Sequence, residues 1–317
     1  MMNVNRKIII RGFILALLFV MSAVVSVVIY THWSIRQLIT PMPSNEVLFD
    51  LLDVEGGPTS INYIVTASLQ DRLRGEIVFP AFVLRWADGR RFVIDMGMDD
   101  RGAKYFYEKM AWQYESDDIK VHGSVAKQLG AEASLVAGLG FTHLHEDHVQ
   151  GVQRYCQLKS AKLPLFQTPQ QTEERNYTTG FGAAFVEDAD CVSPKVLTGA
   201  GPLYSVPGFP GLAVVPVAGH SPGSTVFVVA VEGKLWIVAG DISWTRQSML
   251  TNQPKQVSLF RSLIIPEDET RLVELRQWLA KLDSNDLVKV LLCHDGLALQ
   301  VNGPPVFKPT VLKNDSR

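Results

Sequence analysis

Cysteine and histidine are scarce in this chain of 317 residues, which contains three cysteines and seven histidines. The cysteines, Cys156, Cys191 and Cys293, are too far apart in sequence for a zinc knuckle. The chain also lacks any run of five or more basic residues, and its net charge is only −2. Because nucleic-acid-binding proteins usually carry a basic patch, this class is disfavoured and we expect no nucleic-acid partner.

The few cysteines leave one question open. Cys156 and Cys191 could pair if the domain lies in an oxidising compartment, but the sequence does not give their separation. Cys293 ends an apolar run beside His294, which is typical of a small buried core residue.

Charge is absent from residues 13–30, which follow the basic residues Arg6, Lys7 and Arg11. Extended back to Ile8, the apolar segment is long enough for a hydrocarbon core of about 30 Å. Trp33 comes next and suits a membrane interface. By the positive-inside rule, we predict a single-pass membrane protein with a cytoplasmic N-terminus and an exported catalytic domain, on the periplasmic or extracellular face.

Two alternatives to an anchor compete for this segment. A cleaved signal peptide would have a shorter apolar region and a small-x-small site, and no clear site follows residue 30. A buried core helix would be amphipathic, whereas this segment is apolar all round. The predicted organisation is therefore an anchor at 1–35, a linker at 36–57, a folded domain at 58–308 and a polar tail at 309–317.

The folded domain alternates β-rich runs with helical segments, which predicts an α/β fold. The predicted strands are residues 61–65, 77–86, 91–96, 134–141, 212–217, 225–231, 234–239 and 287–293. The predicted helices are residues 104–110, 119–129, a segment that starts at Asp147, and the amphipathic segment 267–282.

Residues 160–210 contain many prolines and glycines and are predicted to be irregular. Within them, residues 167–184 are a candidate cover for a substrate, with Tyr177, Phe181 and Phe185 as candidate pocket walls. An ordinary surface loop with aromatic anchors is the competing interpretation.

The segment 142–151, THLHEDHVQG, contains His143, His145, Asp147 and His148. A single histidine is usually structural. Three imidazoles and a carboxylate on one loop would pack poorly in a core, but a divalent cation satisfies all of them. Asp95, at the tip of the strand 91–96, is predicted to contact a metal-bound imidazole or cap a loop rather than bind metal directly.

Three further strand ends each carry a residue that can bind a metal, and each is flanked by glycine: His220, Asp241 and His294. Five of the seven histidines therefore lie in loops at strand tips. Five histidines and two aspartates are enough for two metal ions that share a bridging carboxylate. Such a pair can hold a bridging hydroxide near neutral pH and aim it at a carbonyl or phosphoryl centre.

Taken in order, the motifs VIDMG, THLHEDHVQG, GHSPGS, GDISW and CHDG resemble the metallo-β-lactamase-fold metallohydrolases over residues 58–300. The resemblance implies an αββα sandwich with a dinuclear site at one edge, preceded here by the N-terminal transmembrane helix. It assigns His143, His145 and His220 to the first metal and Asp147, His148 and His294 to the second. Asp241 would bridge the two metals.

Within this superfamily the sequence looks nearest to the N-acyl-homoserine lactonase and glyoxalase-II-like branch. We therefore predict a dinuclear hydrolase that uses a metal-bridging hydroxide on a small-molecule ester, lactone or thioester, with Asp147 and Asp241 as catalytic residues. Zinc is the default pair of ions, and iron or manganese also suits carboxylate-bridged histidine sites.

Three other functions stay open at this point. A phosphodiesterase with the same site would need a phosphate-binding patch, for which Arg154, Arg175 and Arg246 are candidates. True β-lactamases of this fold lack the bridging aspartate, so Asp241 argues against that activity. A silent binding module normally loses ligands, and none is missing. Many lactonases have a tyrosine where this chain has Trp244, which donates through its indole but has no phenolic proton.

Overall fold

The computed structural model describes residues 2–38, 40–159, 162–172, 180–199, 201–255, 262–263 and 265–309. Within these ranges, twelve strands form two sheets. The helices are α1 (Met2–Ile35), α2 (Asn45–Phe49), α3 (Asp100–Met110), α4 (Val125–Leu129), α5 (Glu146–Val149), α6 (Gly151–Leu158), α7 (Pro169–Thr172), α8 (Gly180–Glu187), α9 (Arg246–Leu250), α10 (Glu269–Asp283) and α11 (Gly296–Asn302).

The first sheet has seven strands in the order β4-β1-β2-β3-β5-β6-β7. Strands β1, β2 and β3 are antiparallel neighbours, and β3, β5, β6 and β7 run parallel. The bounds are β1 (Ser60–Asp71), β2 (Gly75–Arg85), β3 (Arg91–Ile94), β4 (Lys120–Val121), β5 (Val136–Gly140), β6 (Leu163–Gln167) and β7 (Val192–Val196).

The second sheet has five strands in the order β12-β11-β10-β9-β8. It is antiparallel except for the parallel pair β11 and β12. The bounds are β8 (Tyr204–Ser205), β9 (Leu212–Pro216), β10 (Thr225–Val231), β11 (Lys234–Val238) and β12 (Val288–Leu291).

The two sheets pack face to face around an aromatic core that includes Phe82, Phe92, Phe209 and Phe227. On the outer face of the first sheet, side chains of α4 and α6 share a second core with β3 and β5. On the outer face of the second sheet, α10 buries one side of its surface. The order of layers is helix, sheet, sheet, helix, so the predicted αββα sandwich is confirmed.

The apolar stripe of α10 accounts for its position. Leu272, Leu275, Leu279 and Leu282 recur at helical spacing and are all buried against the second sheet. The helix begins after Asp268, whose side chain accepts a hydrogen bond from the Arg271 N–H and caps the first turn. The start of α10 therefore has a fixed position beside the second sheet.

Helix α1 contains one apolar span, Ile8–Ile35, which is long enough to cross a bilayer and is mostly exposed, with only its last residues buried. A single helix of this kind near an N-terminus fits a membrane anchor and a signal sequence equally well. Within the predicted linker, residues 45–53 form a short helical segment, and Leu48 and Leu51 are buried against the second sheet.

Two predictions of local structure are wrong. Residues 119–129 are not one helix, because Lys120–Val121 form strand β4 against Ala67 and Ser68 of β1, and only Val125–Leu129 are helical. Residues 160–210 contain β6, β7, β8 and α8 rather than irregular chain alone. Pro194 is tolerated because β7 is the edge strand of its sheet, where a missing N–H breaks no ladder.

Candidate metal centre

The loop after β5 carries four of the candidate ligands. Thr142 and His143 leave the end of the strand, His145 occupies the position before α5, and Asp147 and His148 lie in the first turns of α5. His143, Asp147 and His148 are buried. The loop and the single turn of α5 therefore bring four candidate ligands, from within residues 143–148, close together.

The other three candidates come from the second sheet. His220 follows β9, Asp241 follows β11 and His294 follows β12. Strands β11 and β12 are parallel, and β9 and β11 are both antiparallel to β10, so the carboxyl ends of all three lie at one edge. This edge faces the loop after β5, and His220, Asp241 and His294 are buried there.

The structure brings all seven predicted ligands together in overlapping groups. His143, His145 and His220 form one group whose ligand atoms lie within 4.8 Å of one another. His143 Nε2 is 2.8 Å from His145 Nδ1, and that atom is 3.0 Å from His220 Nε2. Three nitrogens at this separation suit one tetrahedral cation, which takes imidazole ligands at about 2.0–2.1 Å.

Asp147, His148 and His294 form the second group. Asp147 Oδ2 lies 3.5 Å from His294 Nε2 and 3.7 Å from His148 Nε2. His148 Nε2 is buried and has no hydrogen-bond partner within the described part of the chain. An unpartnered buried nitrogen is costly, and a cation in this group would satisfy it.

Asp241 lies between the two groups. Its Oδ1 is 3.4 Å from His148 Nε2, and its Oδ2 is 3.5 Å from His220 Nε2. Asp241 Oδ1 is also buried without a hydrogen-bond partner among the described residues. His294 Nε2 of the second group lies 3.1 Å from both oxygens. A carboxylate that reaches residues of both groups has the position that a bridging ligand requires.

Hydrogen bonds outside the site orient the imidazoles. His148 Nδ1 contacts Asp95 Oδ2 at 2.9 Å, His220 Nδ1 contacts Glu267 Oε1 at 2.5 Å, and His294 Nδ1 donates to the Val78 carbonyl at 2.9 Å. In each case the Nε2 atom is left to point at the site. Carboxylates and carbonyls behind ligating imidazoles are the usual partners that fix the tautomer and ring orientation.

Asp95 contacts the imidazole of His148, as predicted for a residue that orients a metal ligand. Its side chain is fully buried and accepts hydrogen bonds from the Thr142 N–H at 2.7 Å and the Thr142 hydroxyl at 2.8 Å. Asp95 has φ +62°, in the left-handed region that aspartate tolerates better than most side chains. The backbone after β3 therefore turns so that this carboxylate reaches both the metal loop and His148.

The charges in the site suit cation binding. Burial holds the pKa of His143 and of His145 well below the usual value, and neighbouring imidazoles lower both further. Burial alone would raise the pKa of Asp241, but His294 and Lys255 hold it well below its ordinary range. Burial alone would lower the pKa of His148, but the carboxylates of Asp147 and Asp95 raise it well above its usual value, so a cation at this imidazole would displace a proton. Neutral His143 and His145 beside an ionised Asp241 are the forms of these groups that bind a metal.

A pocket of about 330 Å³ opens beside the ligands. Its polar floor includes His145, Asp147, His220, Asp241 and His294. Much of its wall is apolar and aromatic and consists of Phe106, Met110, Trp112, Tyr114, Trp244 and Ile265. Gly182 of α8 also lines the pocket, and a Cβ at this position would clash with the Leu144 carbonyl, so α8 packs directly on the metal loop.

Trp244 packs the wall of this pocket. Its ring lies 5.4 Å from the His294 ring, and the Arg74 guanidinium lies 4.5 Å from its centroid. Tyr114 lies edge-on to Trp244, with the two ring centroids 6.4 Å apart, and also lines the pocket. Burial raises the pKa of Tyr114 well above its ordinary value, and the charges of Asp147 and Asp241 add to this, so its hydroxyl keeps its proton.

Three residues of the site were not predicted from the sequence: Tyr114, Lys255 and Glu267. The Lys255 ammonium is buried and donates to the Asp241 carbonyl at 2.6 Å, with Glu267 Oε1 at 3.4 Å. No motif surrounds any of these residues. Lys255 and Glu267 stand out only because a buried lysine or glutamate is rare, and a single sequence does not show which residues are buried.

Several other predicted residues lie elsewhere. Phe185 packs against the outer face of the first sheet and does not line the pocket. Tyr177, Arg175 and the side chain of Phe181 lie outside the described residues. Arg154 bonds Gln157 on an exposed face, and Arg246 pairs with Asp283, so neither contributes a phosphate-binding group to the pocket.

Comparison with known proteins agrees with this architecture. The family model described as the metallo-beta-lactamase superfamily matches residues 80–272. No curated protein sequence matches the chain at a significant level.

Solved structures with the same fold share little sequence with the chain. One is a quorum-quenching N-acyl homoserine lactone hydrolase, with a TM-score of 0.54, 14% identity, and coverage of 79% of this chain and 97% of that one. Another, an N-acyl homoserine lactone hydrolase with N-hexanoyl-L-homoserine at its catalytic metal centre, has a TM-score of 0.53, 14% identity and coverage of 75% and 94%. A probable metal-dependent hydrolase from Staphylococcus aureus has a TM-score of 0.50, 12% identity and coverage of 81% and 100%. At identities of 12–14%, the similarity to these structures shows a shared fold and does not extend to their substrates.

Proposed function

Since the chain belongs to the metallo-β-lactamase superfamily, we propose that it is a dinuclear metal-dependent hydrolase of carbonyl esters, lactones or thioesters. One observation carries the proposal: seven side chains from four separate loops converge in two groups joined by Asp241. Two of their buried ligand atoms, His148 Nε2 and Asp241 Oδ1, have no hydrogen-bond partner among the described residues. The donor set of imidazoles and carboxylates suits zinc, and iron or manganese is compatible with it.

His143, His145 and His220 would hold one cation, Asp147, His148 and His294 the other, and Asp241 would bridge them. When bound, the two cations supply Lewis acidity, which makes water a better nucleophile near neutral pH and polarises a carbonyl oxygen. The residues Asp95, Glu267 and the Val78 carbonyl keep the imidazoles in the orientation that binding requires.

Side chains of the pocket wall and floor would carry out the remaining steps. The aromatic wall excludes water and positions the acyl part of the substrate over the polar floor. Asp147 lines the pocket, so its carboxylate can accept a proton from the attacking water and return it to the leaving oxygen or sulfur. Tyr114 presents a protonated phenol to the same space and can donate a hydrogen bond to the substrate oxygen.

Metal analysis and a substrate panel test this function. Full-length protein purified in detergent should contain about two divalent ions per chain, as the two ligand groups require. It should hydrolyse at least one of an ester, a lactone and a thioester, lose activity after chelation, and regain it with added zinc. The substrate panel also contains a phosphodiester and a cephalosporin. A folded protein that binds no metal would contradict the proposal, and so would a protein that cleaves only the phosphodiester.

We also propose that α1 anchors the enzyme in a membrane with the catalytic domain exported. The apolar span Ile8–Ile35 and the basic residues before it support this orientation. The pairing of Cys156 with Cys191, whose Cα atoms are 5.2 Å apart, supports an oxidising compartment. Cys293 remains a free, buried thiol.

The disulfide provides a test of this location. In protein trapped by acid from intact cells, Cys156 and Cys191 should resist alkylation until they are reduced. Because the bond closes a loop with a sequence separation of 35 residues, its reduction should lower the free energy of unfolding by about 3–4 kcal/mol. Free thiols at both positions in cells would argue for a cytoplasmic domain.

A further inference from the structure

Leu263 contacts the apolar helix, and Ile265 and Glu267, close to it in sequence, belong to the pocket and the metal centre. The Leu263 carbonyl accepts a hydrogen bond from His32 of α1 at 3.2 Å. Ile265 lines the pocket, and Glu267 Oε1 contacts the imidazole of His220 at 2.5 Å. Four residue steps separate Leu263 from Glu267, which limits their separation to about 14 Å even for extended chain.

A second set of contacts fixes the chain just after α1 to the same part of the domain. Arg271 is buried and donates to the Thr40 carbonyl at 2.6 Å and to the Thr40 hydroxyl at 3.1 Å. The same guanidinium donates to the Val217 carbonyl at 3.0 Å, at the start of the loop that carries His220. The end of the helix and the metal loop are therefore joined through one side chain.

The pattern along α1 gives the depth of the bilayer surface. From Phe13 to Tyr30 the side chains are uncharged, mostly apolar and almost all exposed, and Trp33 is 57% exposed, as an interfacial aromatic residue would be. Ser34 and Ile35 are buried. The surface of the hydrocarbon core then lies near residues 30–33, and the polar headgroup layer beyond it is about 5–7 Å thick. Leu263, whose carbonyl contacts His32 at this depth, is two residues from the pocket residue Ile265, which places the pocket lining within about 7 Å of that contact along the chain.

Exposed apolar side chains lie in the pocket lining and next to it in sequence. Trp112 lines the pocket and is 43% exposed, and Leu263, two residues before the lining residue Ile265, is 50% exposed. Phe106, Met110 and Ile265 continue the apolar surface into the pocket. A small polar substrate gains nothing from such a wall, whereas each methylene of an acyl chain buried there contributes about 0.8 kcal/mol.

We propose that the enzyme takes its substrate from the membrane, as an amphiphile with a long acyl chain and a hydrolysable carbonyl at headgroup depth. The chain of the substrate would pass over Leu263 and Trp112 into the apolar wall while its carbonyl reaches the metal groups. This inference rests on the proposed hydrolase function and on α1 as a membrane anchor.

The test uses full-length, zinc-loaded protein in phosphatidylcholine vesicles. Four-carbon and twelve-carbon acyl compounds are compared within the class of ester, lactone or thioester that is hydrolysed. We expect kcat/KM for the twelve-carbon compound to exceed that for the four-carbon compound at least tenfold. Leu263→Glu should lower this ratio at least fivefold, because it places a charge on the path of the chain, and Leu263→Phe should retain the ratio.

Leu158→Glu is the matched control, since Leu158 is 56% exposed and lies on α6, which contributes no residue to the pocket lining. This variant should keep the wild-type ratio. Equal ratios for Leu263→Glu and Leu158→Glu, or no preference for the longer chain, would overturn delivery from the membrane. Failure to hydrolyse any compound of either chain length would instead refute the hydrolase function itself.

Discussion

Replacement of Asp241 with asparagine is expected to reduce hydrolysis about a thousandfold, because shared coordination by two cations supplies several kcal/mol of transition-state stabilisation. An asparagine side chain would keep the shape of the aspartate but offer one neutral oxygen instead of two charged ones. Since the Asp241 oxygens face His148 on one side and His220 on the other, both ligand groups lose charge. The metal content should fall below two ions per chain.

Glu132→Gln is a suitable control for this variant. Glu132 is also fully buried and belongs to an ion-pair cluster, with Arg85 at 3.2 Å and Arg91 at 2.8 Å, but it does not line the pocket. Its replacement should lower thermal stability and leave the metal content unchanged. Full metal content and activity in Asp241→Asn would show that this carboxylate does not bridge the two groups.

The site could be predicted from the sequence to the extent that its chemistry is local. His143, His145, Asp147 and His148 lie within six positions, so their density alone indicates a metal. His220, Asp241 and His294 each end an apolar β-rich run, and the carboxyl ends of strands meet at one edge of a sheet. The structure places all seven together, with the αββα layers that the motif order implies.

What could not be predicted depends on contacts between distant segments. Strand β4 at Lys120–Val121 exists because it pairs with β1, and this partner lies about fifty residues earlier in the chain. Pro194 is compatible with a strand only because β7 is at the edge. Tyr114, Lys255 and Glu267 acquire their roles by packing against the ligands, and nothing in their local sequence indicates it.

Glu267 carries the second large effect that we expect. It holds His220 Nδ1 at 2.5 Å, and its charge is opposed by Lys255, whose Nζ lies 3.4 Å away. Glu267→Gln would weaken the contact with the imidazole and remove one of the two carboxylates near the Lys255 ammonium, which lies 3.1 Å from His220 and 3.5 Å from Asp241. Loss of a carboxylate behind a ligating histidine costs about 10–100-fold in metal affinity.

The effect should be confined to one of the two metals. His220 belongs to the group with His143 and His145, whereas His148 is held by Asp95 and His294 by the Val78 carbonyl. A competition titration with a zinc chelator should therefore show one weakened site and one unchanged site in Glu267→Gln. Glu274→Gln removes a half-exposed acid from the adjacent helix α10 and should leave both affinities unchanged. Equal weakening of both sites in Glu267→Gln would mean that the two groups bind their cations as one unit, so that the orientation of His220 alone does not set the affinity of the first group.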